Sequence, residues 1–437
     1  MRTSEKFSQR SATTESAADS PFMNGSGTDN SLKGACGMEF KDTRQVTVRE
    51  PYDVIVVGGG IAGVAAAVSA ARNGANTLLL EKQVNLGGLA TVGLISWYEP
   101  LCDGEGKQMI YGIGEELIRL SVRYGYEDLP EKWGGQSNNK HKNGRFSAHY
   151  SPTVFALALD EYVRESGAKL LLDVLAVWPV MDGKVCLGVM TETVSGREFF
   201  PAGCIVDATG DASIASRAGI PTEEGESYLT YIAHGFDRKT LADHDETRDM
   251  LDLRKWIGVG SDLYGNGHPA DVRKFRGITS DEENRYLAEG KSRLLDRIRS
   301  WDKSSFDLTM IPTMPQYRKI RRIVGKVTFT GDEEGWNCPE SVGRFGDSRA
   351  FGRRFELPYG TLYHPDWPNI LTAGRVISAG GDGWELVRVI PVCAVSGEAA
   401  GAAASLVSVR KESVDSLPVS AVQERLMTAG VRLHIND

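Results

Sequence analysis

Apolar positions in the first part of the chain change rhythm within a few residues. Asp53-Val54-Ile55-Val56-Val57 is a continuous, β-branched apolar run, and it predicts a buried strand. Glycines follow, then a stretch of small residues from Val64 to Arg72, where Ala67 and Ala71 would let a helix lie close to a sheet. Gly74 ends that helix, and Thr77 to Leu80 predicts a second strand. Ile113, Leu117, Leu120 and Tyr124 mark one face of a helix over Gly112 to Tyr124. Ser151-Pro152-Thr153 caps and opens another helix, Val154 to Glu165. Gly167 closes it. A strand is expected over Lys169 to Val177, then a hairpin at Asp182-Gly183, then a strand over Cys204 to Asp207. Near the far end, Asn369 to Ser378 reads as a strand, and Pro391 opens a helix from Val392 to Val407. Strands alternating with helices place the chain in the α/β class.

The first turn carries chemistry. Gly58, Gly60 and Gly63 form Gly-x-Gly-x-x-Gly between the predicted strand and helix. The first glycine permits a tight turn, the second lets a pyrophosphate reach the backbone, and the third lets helix and strand touch. The helix N-terminus supplies N–H groups and a positive dipole end. Glu81, at the end of the second strand, is placed to accept from a ribose 2′-hydroxyl. Gly87-Gly88-Leu89-Ala90-Thr91 then brings a second glycine pair, either a surface turn or another backbone approach to a ligand. The strand ending at Asp207 runs into Ala208-Thr209-Gly210-Asp211, at the sheet edge where open α/β folds bind ligands.

Composition narrows the function. A length of 437 residues allows two to three domains, and a net charge of −8 disfavours nonspecific nucleic-acid binding. No apolar run approaches the roughly 20 residues of a membrane span. The cysteines, Cys36, Cys102, Cys186, Cys204, Cys338 and Cys393, show no metal-ligand or Cys-x-x-Cys spacing, so no metal site is expected and free thiols in the cytoplasm are. Residues 1–47 read as a disordered tail, poor in large apolar residues, with Met38 an alternative start. Leu129 to Arg145 reads as a mobile loop. Two basic runs stand out, a helix candidate over Lys291 to Arg299 and the run Tyr317 to Gly325. They are either solvated cationic faces or, for one arginine of the second run, a site for an anionic substrate.

Together these motifs resemble the FAD-dependent oxidoreductase family of the glutathione-reductase-like flavoprotein superfamily and, more distantly, the flavin subunit of heterodisulfide reductases. Leu357-Pro358-Tyr359, Ala373-Gly374-Arg375-x-x-Ser378, and Arg388-Val389 followed by Gly397-x-Ala399-Ala400-Gly401 complete the resemblance, in the family's order. It implies a discontinuous Rossmann-like FAD-binding domain (48–97, 149–222 and 355–410) with an inserted α+β substrate or cap domain (98–148 and 223–354) and a C-terminal extension (411–437). Gly58, Gly60, Ile61, Ala62 and Gly63 would hold the pyrophosphate, Glu81 the ribose, and backbone near Ala176 the adenine. Gly88, Leu89, Ala90 and Thr91 would pass beside the flavin. Thr209, Gly210, Asp211, Gly374 and Arg375 would line the cofactor. Many relatives carry a His where this chain has Gly381, and a second Gly-x-Gly-x-x-Gly unit for NAD(P)H is missing.

The expected function is hydride exchange between flavin N5 and a small organic substrate, with an unidentified electron acceptor and neither nucleic acid nor membrane as partner. Arg388, Glu385, Asp382 and Tyr359 are the candidate catalytic groups. Each is equally readable as part of a structural ion pair or the core. The competing classes are an electron-transfer flavoprotein subunit and a noncatalytic FAD-stabilised binding protein.

Overall fold

The computed structural model describes residues 45–125, 127–136, 145–243, 253–262 and 265–437. Nearly all of the expected tail, and residues 137–144 of the expected loop, lie outside them.

The core elements, in chain order, are β1 (Tyr52–Val57), α1 (Ile61–Arg72), β2 (Thr77–Leu80), α2 (Ile113–Val122), α3 (Pro152–Glu165), β3 (Lys169–Leu171), β4 (Leu175–Asp182), β5 (Val185–Thr193) and β6 (Gly196–Asp207). Then come β7 (Thr230–Asp237), β8 (Lys255–Gly260), α4 (Ser280–Arg299), β9 (Phe306–Met310), β10 (Ile370–Thr372) and α5 (Ile390–Arg410). Parallel pairing runs β3-β2-β1-β6-β10. In chain order that is third, second, first, fourth, fifth, the doubly wound arrangement, with its switch point between β1 and β6. β6 serves two sheets. Its second half lies between β1 and β10, while Gly196 to Pro201 pairs with β5 in an antiparallel meander closed by β4.

The apolar run of β1 is explained by burial on both faces. Val54 and Val56 face the helix layer of α1, α2, α3 and α5, whereas Ile55 and Val57 face a second cluster with Val189, Phe200, Ile214 and Trp367. Residues 98–148 and 411–437 also enter the helix-side core, through Leu101, Phe146, Leu417 and Leu426 among others. Two smaller clusters stand apart. They are built from residues between Leu229 and Ile320, around β7, β8, β9 and α4.

α1 and α5 approach so closely that only glycine fits at the crossing. A Cβ at Gly397 would stand 2.2 Å from the Ala62 carbonyl oxygen, and one at Gly401 2.2 Å from that of Ala66. α5 has 21 residues and is apolar enough to span a bilayer, contrary to the reading of the sequence, but it is mostly buried against α1 and the sheet.

Two further expectations change. The strand expected over Lys169 to Val177 is two strands at opposite ends of the sheet, divided at Asp173, whose φ of 57° breaks extension. The basic helix begins earlier, at Ser280, where Thr279 accepts from the Glu282 N–H as an N-cap. Within the run Tyr317 to Gly325, Arg321–Ile323 pairs as a short strand with Thr222–Glu224.

Candidate functional site

The C-terminal ends of β1 and β6 meet at the switch point. Gly58 leaves β1 with φ 99°, and a Cβ there would stand 2.6 Å from the Ala208 carbonyl oxygen. At Gly63 a Cβ would stand 1.7 Å from the Gly58 carbonyl oxygen, so the α1 helix sits directly on the turn. Gly60 is different: a Cβ there meets nothing within 4 Å. Its missing side chain leaves room beside the first turn of α1, whose N–H groups at Ile61, Ala62 and Gly63 have no intrahelical acceptor. The second glycine pair is held against this turn, with the Gly87 N–H donating to the Gly59 carbonyl at 2.8 Å. Gly88, Leu89 and Ala90 form a single 3-10 turn, and Thr91 Oγ1 caps it by donating to the Leu86 carbonyl.

Glu81 is 7% exposed. One carboxylate oxygen accepts from the Gly59 N–H and the other from the Gln83 N–H at 2.7 Å. Burial raises its pKa and these two bonds oppose the rise. Each oxygen keeps a lone pair beyond its backbone bond. The chain carrying Ala176 passes close by, since the Val174 N–H donates to the Glu81 carbonyl.

On the β6 side, Asp207 is fully buried and organises the loop. It accepts from the N–H and hydroxyl of Thr209 (3.0 and 2.6 Å) and from the Ala215 N–H (2.8 Å). Asp211 accepts from the Ser213 N–H at 3.0 Å. Arg375 crosses this loop, its Nε donating to the Gly210 carbonyl at 2.7 Å. Gly374, with φ 80°, brings that segment against α1, where a Cβ would stand 2.9 Å from Ala62 Cβ. Arg375, Cys393 and Arg318 are deeply enclosed by protein, yet each keeps accessible surface. Cys393, in the first turn of α5, has its thiol pushed up to about 11 by burial.

The four catalytic candidates do not converge. Arg388 and Glu385 do meet: Nε and Nη2 of Arg388 both donate to one oxygen of Glu385, and Lys319 Nζ holds the other at 2.7 Å. Asp382 belongs to a different network, paired with Arg349 at 2.7 Å and with Arg353. Tyr359 is a core residue, 1% exposed, donating to the Val414 carbonyl at 3.1 Å. Burial raises its phenol well above the ordinary value, so it is unsuited to proton transfer. Arg318 and Cys393 were not singled out in the sequence. Arg318 belongs to the flagged basic run, whereas no sequence signal marked Cys393.

The chain was compared with known proteins. It is 35% identical over 83 residues to a thioredoxin reductase from Ureaplasma parvum, a stretch covering 19% of this chain and 27% of that protein. The match thus spans about a quarter of that relative's length. Among solved structures, a geranylgeranyl bacteriochlorophyll reductase-like protein from Thermoplasma acidophilum is 16% identical, with 89% of this chain and 85% of that one covered and a TM-score of 0.44. For p-nitrophenol 4-monooxygenase from Pseudomonas putida the corresponding values are 12%, 87%, 84% and 0.45. The family model described as FAD dependent oxidoreductase matches residues 53–232 and 337–426, which is more than half of the chain and takes in both sides of the switch point. The chain therefore belongs to the FAD-dependent oxidoreductase family.

Proposed function

We propose that this enzyme exchanges hydride between a small organic substrate and the N5 atom of its FAD, bound at the switch point. The observation that carries the reading is the open face of Gly60 at the first turn of α1, with Gly374 and Arg375 packed against the same turn and the Gly210 loop. Gly58 to Gly63 fit a pyrophosphate, because the first-turn N–H groups of α1 are unspent and Gly60 leaves backbone accessible. Glu81 would accept from the ribose hydroxyls with its remaining lone pairs, and the chain near Ala176 would border the adenine. Gly88 to Thr91, Thr209 to Asp211, and Gly374 with Arg375 would line the rest. Bound FAD supplies the hydride chemistry; the residues supply binding, orientation and exclusion of water.

The domain division that goes with this reading assigns the cofactor to 48–97, 149–222 and 355–410, and draws the substrate or cap side from 98–148 and 223–354, although 98–148 also packs into the helix-side core. Its support is that β7, β8, β9 and α4 carry their own apolar clusters. The substrate side is tied to the cofactor side by Gln316, which accepts from the Ile232 N–H on β7 and donates to the Gly93 carbonyl at 2.6 Å. The first turn of α5 would place its positive end toward charge developing on the cofactor. Arg388 and Glu385 would act as a fixed pair that orients the substrate side.

Anaerobic mixing of the purified holoprotein with a panel of metabolites tests the reading. Bleaching of flavin absorbance by at least one small organic compound is expected. Bleaching by dithionite or a protein electron donor alone, with every metabolite inert, would favour an electron-transfer role and overturn it.

A further inference from the structure

Arg318 is held in place from several directions. Its N–H donates to Ser227 Oγ at 3.1 Å, and its Nη1 donates to the Gln316 carbonyl at 2.9 Å. Gln316 in turn is clamped between β7 and Gly93. The guanidinium is therefore fixed close to the chain that follows the second glycine pair. It is enclosed, and among the described residues it forms no ion pair.

Its neighbours sharpen the point. Burial lowers its pKa to about 10, with Arg388 and Arg375 adding to the effect, while Tyr286 and Glu385 only partly offset it. Glu385 is the nearby carboxylate, and it is already held by Arg388 and Lys319. Lys319 keeps 27% of its side chain exposed, so water shares its charge. Arg388 is matched by Glu385. Arg318 is left without an ion pair among the described residues, as is Arg375, whose Nε is taken by the Gly210 carbonyl beside α1. An enclosed cation without a counterion is destabilising. That cost is relieved when an anion binds beside it.

We infer that the substrate carries a carboxylate, and that the guanidinium of Arg318 binds it beside the Arg388–Glu385 pair, an inference that rests on the redox reading above. The FAD pyrophosphate is a poorer match, because α1 already offers its first-turn N–H groups and Arg375 lies nearer to that turn. The planar fork suits a carboxylate, whose two oxygens lie in one plane and can take two parallel N–H bonds.

The test uses FAD-loaded protein as wild type, Arg318→Gln and Arg318→Lys. Acetate, succinate and benzoate are titrated while the flavin absorbance difference spectrum is read, with sulfate and phosphate as comparators. Flavin content and melting temperature are taken on the same preparations. At least one carboxylate should perturb the wild-type spectrum saturably. Arg318→Gln should raise its dissociation constant about 10- to 100-fold, and Arg318→Lys by less. Flavin content should stay unchanged, and the ligand-free melting temperature of Arg318→Gln should be unchanged or higher, because an unmatched charge has gone. Equal carboxylate affinity in loaded Arg318→Gln or, should that variant not fold, in loaded Arg318→Lys overturns the inference. So does a response to sulfate or phosphate alone, silence of every probe on loaded wild type, or loss of flavin from the variants with carboxylate binding intact. Wild-type protein that cannot be loaded with FAD overturns the redox reading and this inference together.

Discussion

Two walls of the proposed cofactor space are made by different physics. The glycine wall, Gly58 to Gly63 with Gly397 and Gly401 of α5 behind it, is set by hard contacts. Backbone atoms approach so closely that a single added carbon would stand 1.7 Å from the Gly58 carbonyl oxygen at Gly63 and 2.2 Å from the Ala66 carbonyl oxygen at Gly401. The cationic wall, Arg318, Lys319, Arg375 and Arg388, is set by long-range charge. Its side chains come from three separate segments, and two of them, Lys319 and Arg388, share one carboxylate, Glu385. Gly60 apart, the glycines of the first wall tolerate almost no substitution for reasons of shape. The second tolerates changes of shape and is sensitive to changes of charge.

The largest effect should come from the contact between α1 and α5. Gly401→Val would drive side-chain atoms into the Ala66 carbonyl and force the helices apart. A loss of about 3 kcal/mol or more is expected, enough to remove most folded protein. Denaturant unfolding, or the yield of folded holoprotein, measures it. A variant as stable as wild type would show that the crossing is looser than described.

A smaller effect separates shape from charge on the same helix. Glu398 lies within α5, and one of its oxygens accepts from the Ile113 N–H at 3.0 Å. Burial pushes its pKa up to about 8 from 4.5, so the folded protein binds a proton here that the unfolded chain releases. A raised acid contributes stability that is full below the unfolded value and is lost as pH rises through the folded one. Between pH 6 and pH 8 the wild type should lose up to about 2 kcal/mol from this group. Glu398→Gln keeps an acceptor for Ile113 and has no proton to release, so its stability should vary less over that window. Parallel pH profiles for the two proteins would place the titration elsewhere.

The contrast also explains what the sequence made legible. The strand, glycines and helix from Asp53 to Arg72 are readable because each residue answers to its near neighbours. The same holds for the small residues of α5. Its burial was less plain, since a largely apolar helix of 21 residues looks alike in a core and in a bilayer. The break at Asp173 was missed because a single left-handed residue hardly alters an apolar pattern. The cationic wall was the least legible. Arg318 stood among three other basic residues in one run, and nothing local shows that Arg321 and Arg322 turn into a strand beside Glu223 and Glu224 while Arg318 turns inward. Asp382 and Tyr359 read as plausible proton carriers until Arg349, Arg353 and Val414, all distant or on other elements, were seen to occupy them.

Gly60 offers the most direct test of the claim that this turn holds FAD. Its φ of −66° suits any residue, and a Cβ there meets no protein atom within 4 Å. Gly60→Val should therefore leave the apoprotein folded, with its melting temperature close to wild type, while filling the room that a pyrophosphate needs. The measurement is FAD titration of the two apoproteins, followed by flavin fluorescence, with melting curves on the same samples. The account predicts FAD binding weakened about 100-fold or more at unchanged stability, from roughly 3 kcal/mol of lost phosphate contact. A folded Gly60→Val protein that binds FAD as tightly as wild type would contradict it.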